Sequence, residues 1–254
     1  MSTPLLTAGL PVPHGFFTRA GGVSTGRFAS LNCSLSGRDD ADAVRENRRR
    51  AADALGQPAQ ALVGLTQVHG IAVATVTTPW PEDQRPQADA MVTDRPGLLL
   101  GIVTGDCAPV LFADATAGVV GAAHAGWRGA VAGVIEATIA AMEALGAERG
   151  RIQAAVGPCI AQPSYEVGPD LRAELLARDA ADAHFLAPGR REDRWQFDLP
   201  GYCLARLRAA GVAEAGWVGR DTLAEEDAFF SHRRATLSGG GPIGHQLSAI
   251  ALPG

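Results

Sequence analysis

The chain predicts an α+β fold in which mixed sheets are covered by helices, and three observations carry that expectation. Strand-like runs crowd the first 125 residues, most of their connections are short enough for hairpins, and the helical stretches fall between and after them. Regular βαβ alternation, the mark of a doubly wound sheet, is not followed.

The elements can be justified in order. His14–Thr18 opens as a short apolar run, and Ala41–Leu55 is helical, with acidic residues at its start and Gly56 and Pro58 just beyond its end. Ala61–Leu65, Ile71–Val76, Ala88–Val92 and Leu98–Val103 have the β-branched, apolar composition of strands. Pro109–Ala113 and Val119–Ala123 flank a short turn and predict an antiparallel hairpin closed at Ala115-Thr116. In that register Cys107 and His124 are cross-strand partners, with Cβ atoms about 4.5–5.5 Å apart; a three-residue turn makes them diagonal instead. A helix over Ala130–Leu145 stops at Gly146, a strand follows at Ile152–Val156, and Pro169–Arg178 is helical. Leu199–Ala210 is a helix opened by Asp198 and closed by Gly211, and Gly216–Gly219 and Leu247–Leu252 complete the strands.

Composition narrows the function classes. With 254 residues, 46% hydrophobic and 19% charged, and no linker rich in Pro, Ser or charge, residues 1–254 read as one domain with a sizeable core. No apolar run approaches the roughly 20 residues of a membrane span, and the first residues lack a signal-peptide pattern, so the expected location is the cytoplasm. Four dispersed cysteines without a CxxC pair suggest free thiols or a metal ligand. A net charge of −5 without a basic stripe excludes nucleic acid as an expected partner. All 22 basic residues are arginine, which excludes a Schiff-base lysine, a pyridoxal phosphate anchor and a P-loop lysine. An anionic substrate must be held by arginine or by backbone amides. Oligomeric state is left open, a monomer included.

Three residues stand out as a chemical set. Cys107 and His124 sit at the outer ends of the hairpin, and His69 lies between two strand-like runs where a loop can aim it at a site. Two readings share these residues. His69, Cys107 and His124 can bind zinc and leave the fourth tetrahedral position open, or Cys107 can act as a nucleophile with His124 as its base. Ala125-Gly126-Trp127-Arg128-Gly129 leads into a helix and suits an anion, while Trp127 is placed either to stack on a flat substrate or to pack in the core. The loop around Arg19 and Ser24 offers a second anion cradle or a plain turn. Phe229–Arg234 reads as packing plus basic surface, or as a substrate wall.

In this order, Thr18–Ser24, Ser30-Leu31-Asn32, Glu46-Asn47-Arg48, Gln67–Gly70, Ala88-Asp89-Ala90, Asp106–Val110, His124–Gly129, Gly157–Ile160, Tyr165–Gly168 and Phe229–Arg234 form a series of motifs. That series resembles the YfiH/FAMIN family, also labelled laccase-domain or polyphenol oxidase, from about residue 14 to residue 252. Three positions depart from the family pattern: Gly105 stands where alanine is common, Asp221 where cysteine is common, and His245 where arginine is usual.

The resemblance implies an α/β/β/α sandwich of mixed sheets, CNF/YfiH-like, and zinc held by His69, Cys107 and His124. It further implies phosphorolysis of adenosine, inosine, guanosine and methylthioadenosine, with adenosine deamination at the same site, so purine nucleosides and phosphate are the expected partners. For deamination, a zinc hydroxide attacking C6 of adenine is expected, with Asp106 or a nearby polar group moving protons. Arg19, Arg128 and loop amides are the candidates for phosphate. The alternatives are a Cys107-dependent amide hydrolase in cell-wall or peptide metabolism, a copper-binding polyphenol oxidase as the family's older label has it, and zinc that only holds a scaffold. A multicopper oxidase typically needs about ten histidines, many in His-x-His pairs. This chain has six and no such pair, although copper can substitute for zinc at the His-Cys-His set.

Overall fold

The computed structural model describes residues 4–36 and 38–253. Its first strands are β1 (Leu5–Leu6), β2 (His14–Phe17), β3 (Leu62–Val63), β4 (Val73–Thr75), β5 (Ala90–Thr93), β6 (Leu99–Thr104), β7 (Ala108–Asp114) and β8 (Val119–Ala125). The later ones are β9 (Gln153–Val156), β10 (Glu166–Val167), β11 (Leu186–Pro188), β12 (Trp195–Phe197), β13 (Glu214–Trp217) and β14 (Gln246–Ala251). The helices are α1 (Ala41–Ala54), α2 (Trp127–Ala132), α3 (Val134–Ala144), α4 (Pro169–Arg178), α5 (Leu199–Ala209) and α6 (His232–Leu237).

Period-two alternation sorts the central strands into layers. One sheet has the order β1-β2-β14-β6-β3 and a second the order β13-β9-β7-β8-β5-β4, each mixing antiparallel with parallel pairs. Between them lies a core of Phe16, Leu100, Ile102 and Ile250 from the first sheet against Met91, Leu111, Val120 and Ala122 from the second. The alternate residues point the other way. Phe17, Leu99, Leu247 and Ala249 meet Ala51 and Ala52 of α1 on one outer face. On the opposite face Val110, Phe112 and Ala123 meet Val134, Ile135, Leu171 and Leu207 of α3, α4 and α5. The result is the expected α/β/β/α sandwich of mixed sheets. Fully burying one such aliphatic side chain stabilises by about 1.5–3 kcal/mol, so a one-residue slip in any central strand would be heavily penalised.

Several elements differ from expectation. In the hairpin, Pro109 pairs with His124 and Asp114 with Val119, a register two residues away from the one that would pair Cys107 with His124. Asp114 causes the longer turn: its Oδ1 accepts the N–H groups of Thr116 at 3.1 Å and Ala117 at 3.0 Å. Because the shift is an even number, Cys107 stays on the His124 face, diagonal to it and one residue before β7. The helix expected over Ala130–Leu145 starts earlier, at Trp127, and breaks at Gly133, whose φ of 110° is left-handed. The strand expected at Gly216–Gly219 lies instead at Glu214–Trp217. The small sheet β10-β12-β11 and α6 were not expected, because two- and three-residue strands and a six-residue helix leave no measurable period. Among the described residues no helix is long and apolar enough to cross a membrane.

Candidate metal centre

At one end of the core between the sheets the inward-facing positions change from apolar to polar. On β8 the inward series Val120, Ala122 ends in His124; on β6 the series Leu100, Ile102 ends in Thr104. Residues Leu111 and Pro109 continue back to Cys107, and Met91 to Asp89. One sheet edge therefore delivers a cysteine, a histidine and a carboxylate to the same place, and the loop before β4 adds His69. The ligand atoms of His69, Cys107 and His124 lie within 4.8 Å of one another, and Sγ of Cys107 is 3.9 Å from Nε2 of His69. The two imidazoles stand edge to face at 4.7 Å. Tetrahedral zinc with Zn–N near 2.0–2.1 Å and Zn–S near 2.3 Å would hold such atoms about 3.5 Å apart, so this donor set fits after a small contraction.

Asp89 organises the set, a role that the sequence reading did not give it. It is fully buried, and its carboxylate accepts the N–H groups of Val68, His69 and Gly70 at 3.2, 2.9 and 2.6 Å. It also takes the Nδ1–H of His124 at 2.8 Å, which turns the Nε2 lone pair of that ring toward Cys107. His69 holds φ of 63°, an unfavourable conformation for a non-glycine residue, and the Asp89 bonds maintain it there. The Gln67 side chain secures the same loop by bonding N and O of Val103 at 3.0 and 2.8 Å. Burial pushes the Asp89 carboxyl up, but the His124 ring and the N–H groups of Gly70 and His69 outweigh it and hold the pKa below its ordinary value.

Without a metal, the same residues form a thiolate–imidazolium pair. Burial acts to raise the Cys107 thiol, yet the charge and hydrogen bonds of His124 and His69 bring it down to about 6. For His124 burial acts to lower the pKa, and Cys107 and Asp89 raise it to about 9. Cys33, Cys159 and Cys203 are fully buried, whereas Cys107 is partly exposed. Chelator-treated protein is therefore expected to take up one equivalent of iodoacetamide. Because the thiolate is the nucleophile, the rate should rise through pH about 6 and level off above it. Mass spectrometry across a pH series checks this; labelling that begins only above the ordinary thiol range contradicts it.

Gly126 is required by the geometry. The hairpin register carried one step further sets it across from Cys107, and a Cβ there would lie 3.0 Å from Sγ and 2.9 Å from Cδ2 of His69. Gly126→Ala is expected to leave the fold intact at a cost of about 1–3 kcal/mol while weakening metal binding about tenfold or more. Denaturant unfolding and a metal competition titration measure the two effects.

The triad opens into a cavity of 570 Å³, within the range of small-molecule sites. Its lining includes Trp127, Arg128, Tyr165, His232 and Arg233, together with Gln67, Arg85, Thr104 and His245. Arg128 lies over the Trp127 ring at 4.4 Å and Arg233 over Tyr165 at 5.3 Å. Asp106 lines the cavity too, accepting Thr222 Oγ1–H and the Arg233 N–H, both at 2.6 Å. Burial raises its pKa against the pull of those bonds. The neighbouring His245 ring is pushed down to about 4 by burial and by the His124 and His232 charges, so it is neutral.

Of the residues expected at the site, the structure brings together His69, Cys107, His124, Asp106, Trp127 and Arg128 around the cavity. Arg19 and Ser24 are not among its lining. Arg19 Nε donates to the Ala29 carbonyl at 2.8 Å and stacks on Phe230 at 4.5 Å, while Ser24 bonds Asp39 and Asn47. Both tie their loop to its surroundings, and an anion cradle there is not formed. Nor is there a long helix behind Arg128, since α2 has six residues. His232 and Arg233 favour the substrate-wall reading of Phe229–Arg234, whereas Arg234 is committed to the carbonyls of Phe229, Thr222 and Leu223.

Comparison with known proteins extends this picture. The sequence model of the family described as multi-copper polyphenol oxidoreductase laccase matches residues 13–253. A purine nucleoside phosphorylase of Deinococcus radiodurans is 44% identical over 253 residues, covering 98% of this chain and 93% of that protein. Purine nucleoside phosphorylase YfiH of Escherichia coli is 39% identical over 225 residues, covering 87% and 88%. Among solved structures, protein NMB0706 of Neisseria meningitidis superposes with a TM-score of 0.88 at 32% identity, covering all of both chains. YlmD of Geobacillus stearothermophilus gives 0.86 at 32% identity, covering 100% and 98%.

Proposed function

The chain belongs to the multi-copper polyphenol oxidoreductase laccase family, the family of YfiH, and on that premise we propose that it is a metal-dependent purine nucleoside phosphorylase that also deaminates adenosine in the same cavity. The observation that carries the reading is the placement of an open His-Cys-His set in a cavity with an aromatic, arginine-bearing wall. Relatives named purine nucleoside phosphorylase align over most of the chain and support it. Adenosine, inosine, guanosine and methylthioadenosine are the proposed nucleosides.

Each residue has a part in that chemistry. The flat purine lies against Trp127 and Tyr165, and Arg128, which has no carboxylate partner among the described residues, neutralises phosphate together with Arg233. A phosphate oxygen bonds to C1′ of the ribose as the C1′–N9 bond breaks, and the electron pair leaves with the purine. Asp106, which lines the cavity and whose pKa burial raises, is the group placed to pass a proton to N7 of the departing base. His69 and Cys107 with Nε2 of His124 would hold the metal, which when bound supplies a Lewis acid with one position open to substrate or water. Thiolate and imidazole donors suit zinc, and the affinity order lets copper take its place.

Purified, zinc-replete protein is expected to convert adenosine and phosphate to adenine and ribose 1-phosphate, and adenosine alone to inosine. Absence of all three products contradicts the proposal. A second reading is favoured by one observation, the lowered Cys107 pKa beside His124, which is what a thiol amide hydrolase needs. Chelation separates the two: it should abolish nucleoside turnover, but it would spare or enhance a free thiolate enzyme.

A further inference from the structure

Two cavity residues, Ile160 and Tyr165, stand at the ends of one short loop, which passes between them through a single 3₁₀ turn over Gln162–Ser164. One such turn makes too few internal hydrogen bonds to hold its own shape. Its support comes from Asp221, a residue outside the cavity lining. Oδ2 of Asp221 accepts the Ser164 hydroxyl at 2.6 Å, and Oδ1 accepts the Ala161 N–H at 3.4 Å. Ala161 follows Ile160 and Ser164 precedes Tyr165, so one carboxylate fastens the loop beside both cavity residues. The other side-chain ties of the loop are longer than the Ser164 bond: Gln162 Nε2 to the carbonyls of Phe185 and Gln196, and Arg190 to the Pro163 carbonyl, all at 3.4 Å. Asp221 is itself fixed. Its N–H donates to Glu225 at 3.0 Å, its Oδ1 takes the Leu223 N–H at 3.0 Å, and its backbone bridges to Cys159, the residue before Ile160.

We propose that Asp221 is a positioning residue for the base: through Ser164 and Ala161 it sets the Tyr165 ring against which the purine lies. This role rests on the nucleoside reading of the cavity and assigns the affinity for the base to a carboxylate that never touches it. A hydroxyl bonded to an ionised carboxylate makes one of the stronger hydrogen bonds available, so Ser164 is a firm anchor one residue from the ring. The ring has packing partners, Phe197 at 6.0 Å and the Arg233 guanidinium at 5.3 Å, but its backbone follows the loop. A stacked base is sensitive to that placement, because the attraction depends on close contact between two flat faces. The metal set is separate. The hydrogen bonds of His69, Cys107, His124 and Asp89 run among themselves and to Val68 and Gly70, and none reaches this loop among the described residues.

The test is calorimetric binding of inosine, and of ribose 1-phosphate, which has no base, to the metal-loaded protein without added phosphate. Asp221→Ala should weaken inosine about tenfold and Ser164→Ala about threefold, while ribose 1-phosphate changes less than about twofold in both. Asp221→Asn should recover most of the inosine affinity, since its amide oxygen still accepts the N–H groups and the Ser164 hydroxyl can turn to accept from its NH₂. Because the effect passes through Tyr165, adding Asp221→Ala to Tyr165→Leu should weaken inosine no further. Should Asp221→Ala not fold, Ser164→Ala combined with Tyr165→Leu completes the same cycle. Alanine variants that bind inosine as the wild type does, equal losses for inosine and ribose 1-phosphate, additive losses in the cycle, or a wild type that binds no inosine overturns the role. Adding phosphate then reads the other claim separately: inosine binding that depends on Asp221 without release of hypoxanthine rejects phosphorolysis and leaves the positioning role standing.

Discussion

Asp89→Ala is expected to destabilise the metal-free protein by about 3–5 kcal/mol and to weaken metal binding by about 10–100-fold. The reason is the number of groups that depend on one buried carboxylate. Its removal strips three backbone N–H groups of their acceptor, leaves the buried His124 Nδ1–H unpaired, and releases the loop that holds His69 at positive φ. Asp89→Asn should recover part of the stability, since the amide oxygen can still accept, but its NH₂ group then faces donors and the metal affinity stays low. Guanidinium unfolding of chelated protein and competition with a metal-binding dye read the two effects. The pH dependence has a defined sign. The folded pKa of Asp89 is lowered, so its contribution is present above the ordinary carboxylate range and is lost as pH falls through the folded value. The alanine variant should therefore lose less stability on acidification than the wild type. A variant as stable as the wild type at neutral pH contradicts the role assigned to Asp89.

Cys107→Ala should separate the site from the fold. Cys107 lies just outside β7, is partly exposed, and belongs to none of the buried apolar clusters formed by the described residues. In chelated protein the change in stability is expected to stay within about 1 kcal/mol. Metal binding and nucleoside turnover should fall by at least about a hundredfold, beyond what loss of an outer-shell partner brings. Only the wild type should gain stability on adding metal, because binding to the native state alone stabilises by mass action. A scaffold metal predicts the reverse pattern, with the alanine variant unfolded.

Much of this architecture was legible in the sequence because it rests on local signals. Apolar alternation marked the central strands, and Asp198 with Gly211 bounded the fourth long helix within a residue. His69, Cys107 and His124 were legible as polar residues in small-residue, strand-edge contexts. What the sequence left hidden depends on long-range register. Asp89 reaches His124 only because Ala90 pairs with Ala123, a match between strands that are far apart in sequence, and nothing near Asp89 announces it. The hairpin register was misjudged because a side chain, Asp114, lengthens the turn. Arg19 and Ser24 had the composition of an anion loop, but composition does not tell whether donors face a cavity or the protein's own carbonyls.

The central claim is that His69, Cys107 and His124 hold one metal ion with an open coordination position. Anomalous diffraction on a crystal of zinc-replete protein, recorded on either side of the zinc edge, tests it most directly. A single peak is expected within about 2.0–2.4 Å of Nε2 of His69, Sγ of Cys107 and Nε2 of His124, with the fourth direction facing the cavity. No peak among these three residues, or a peak closed off by a fourth protein ligand, would contradict it.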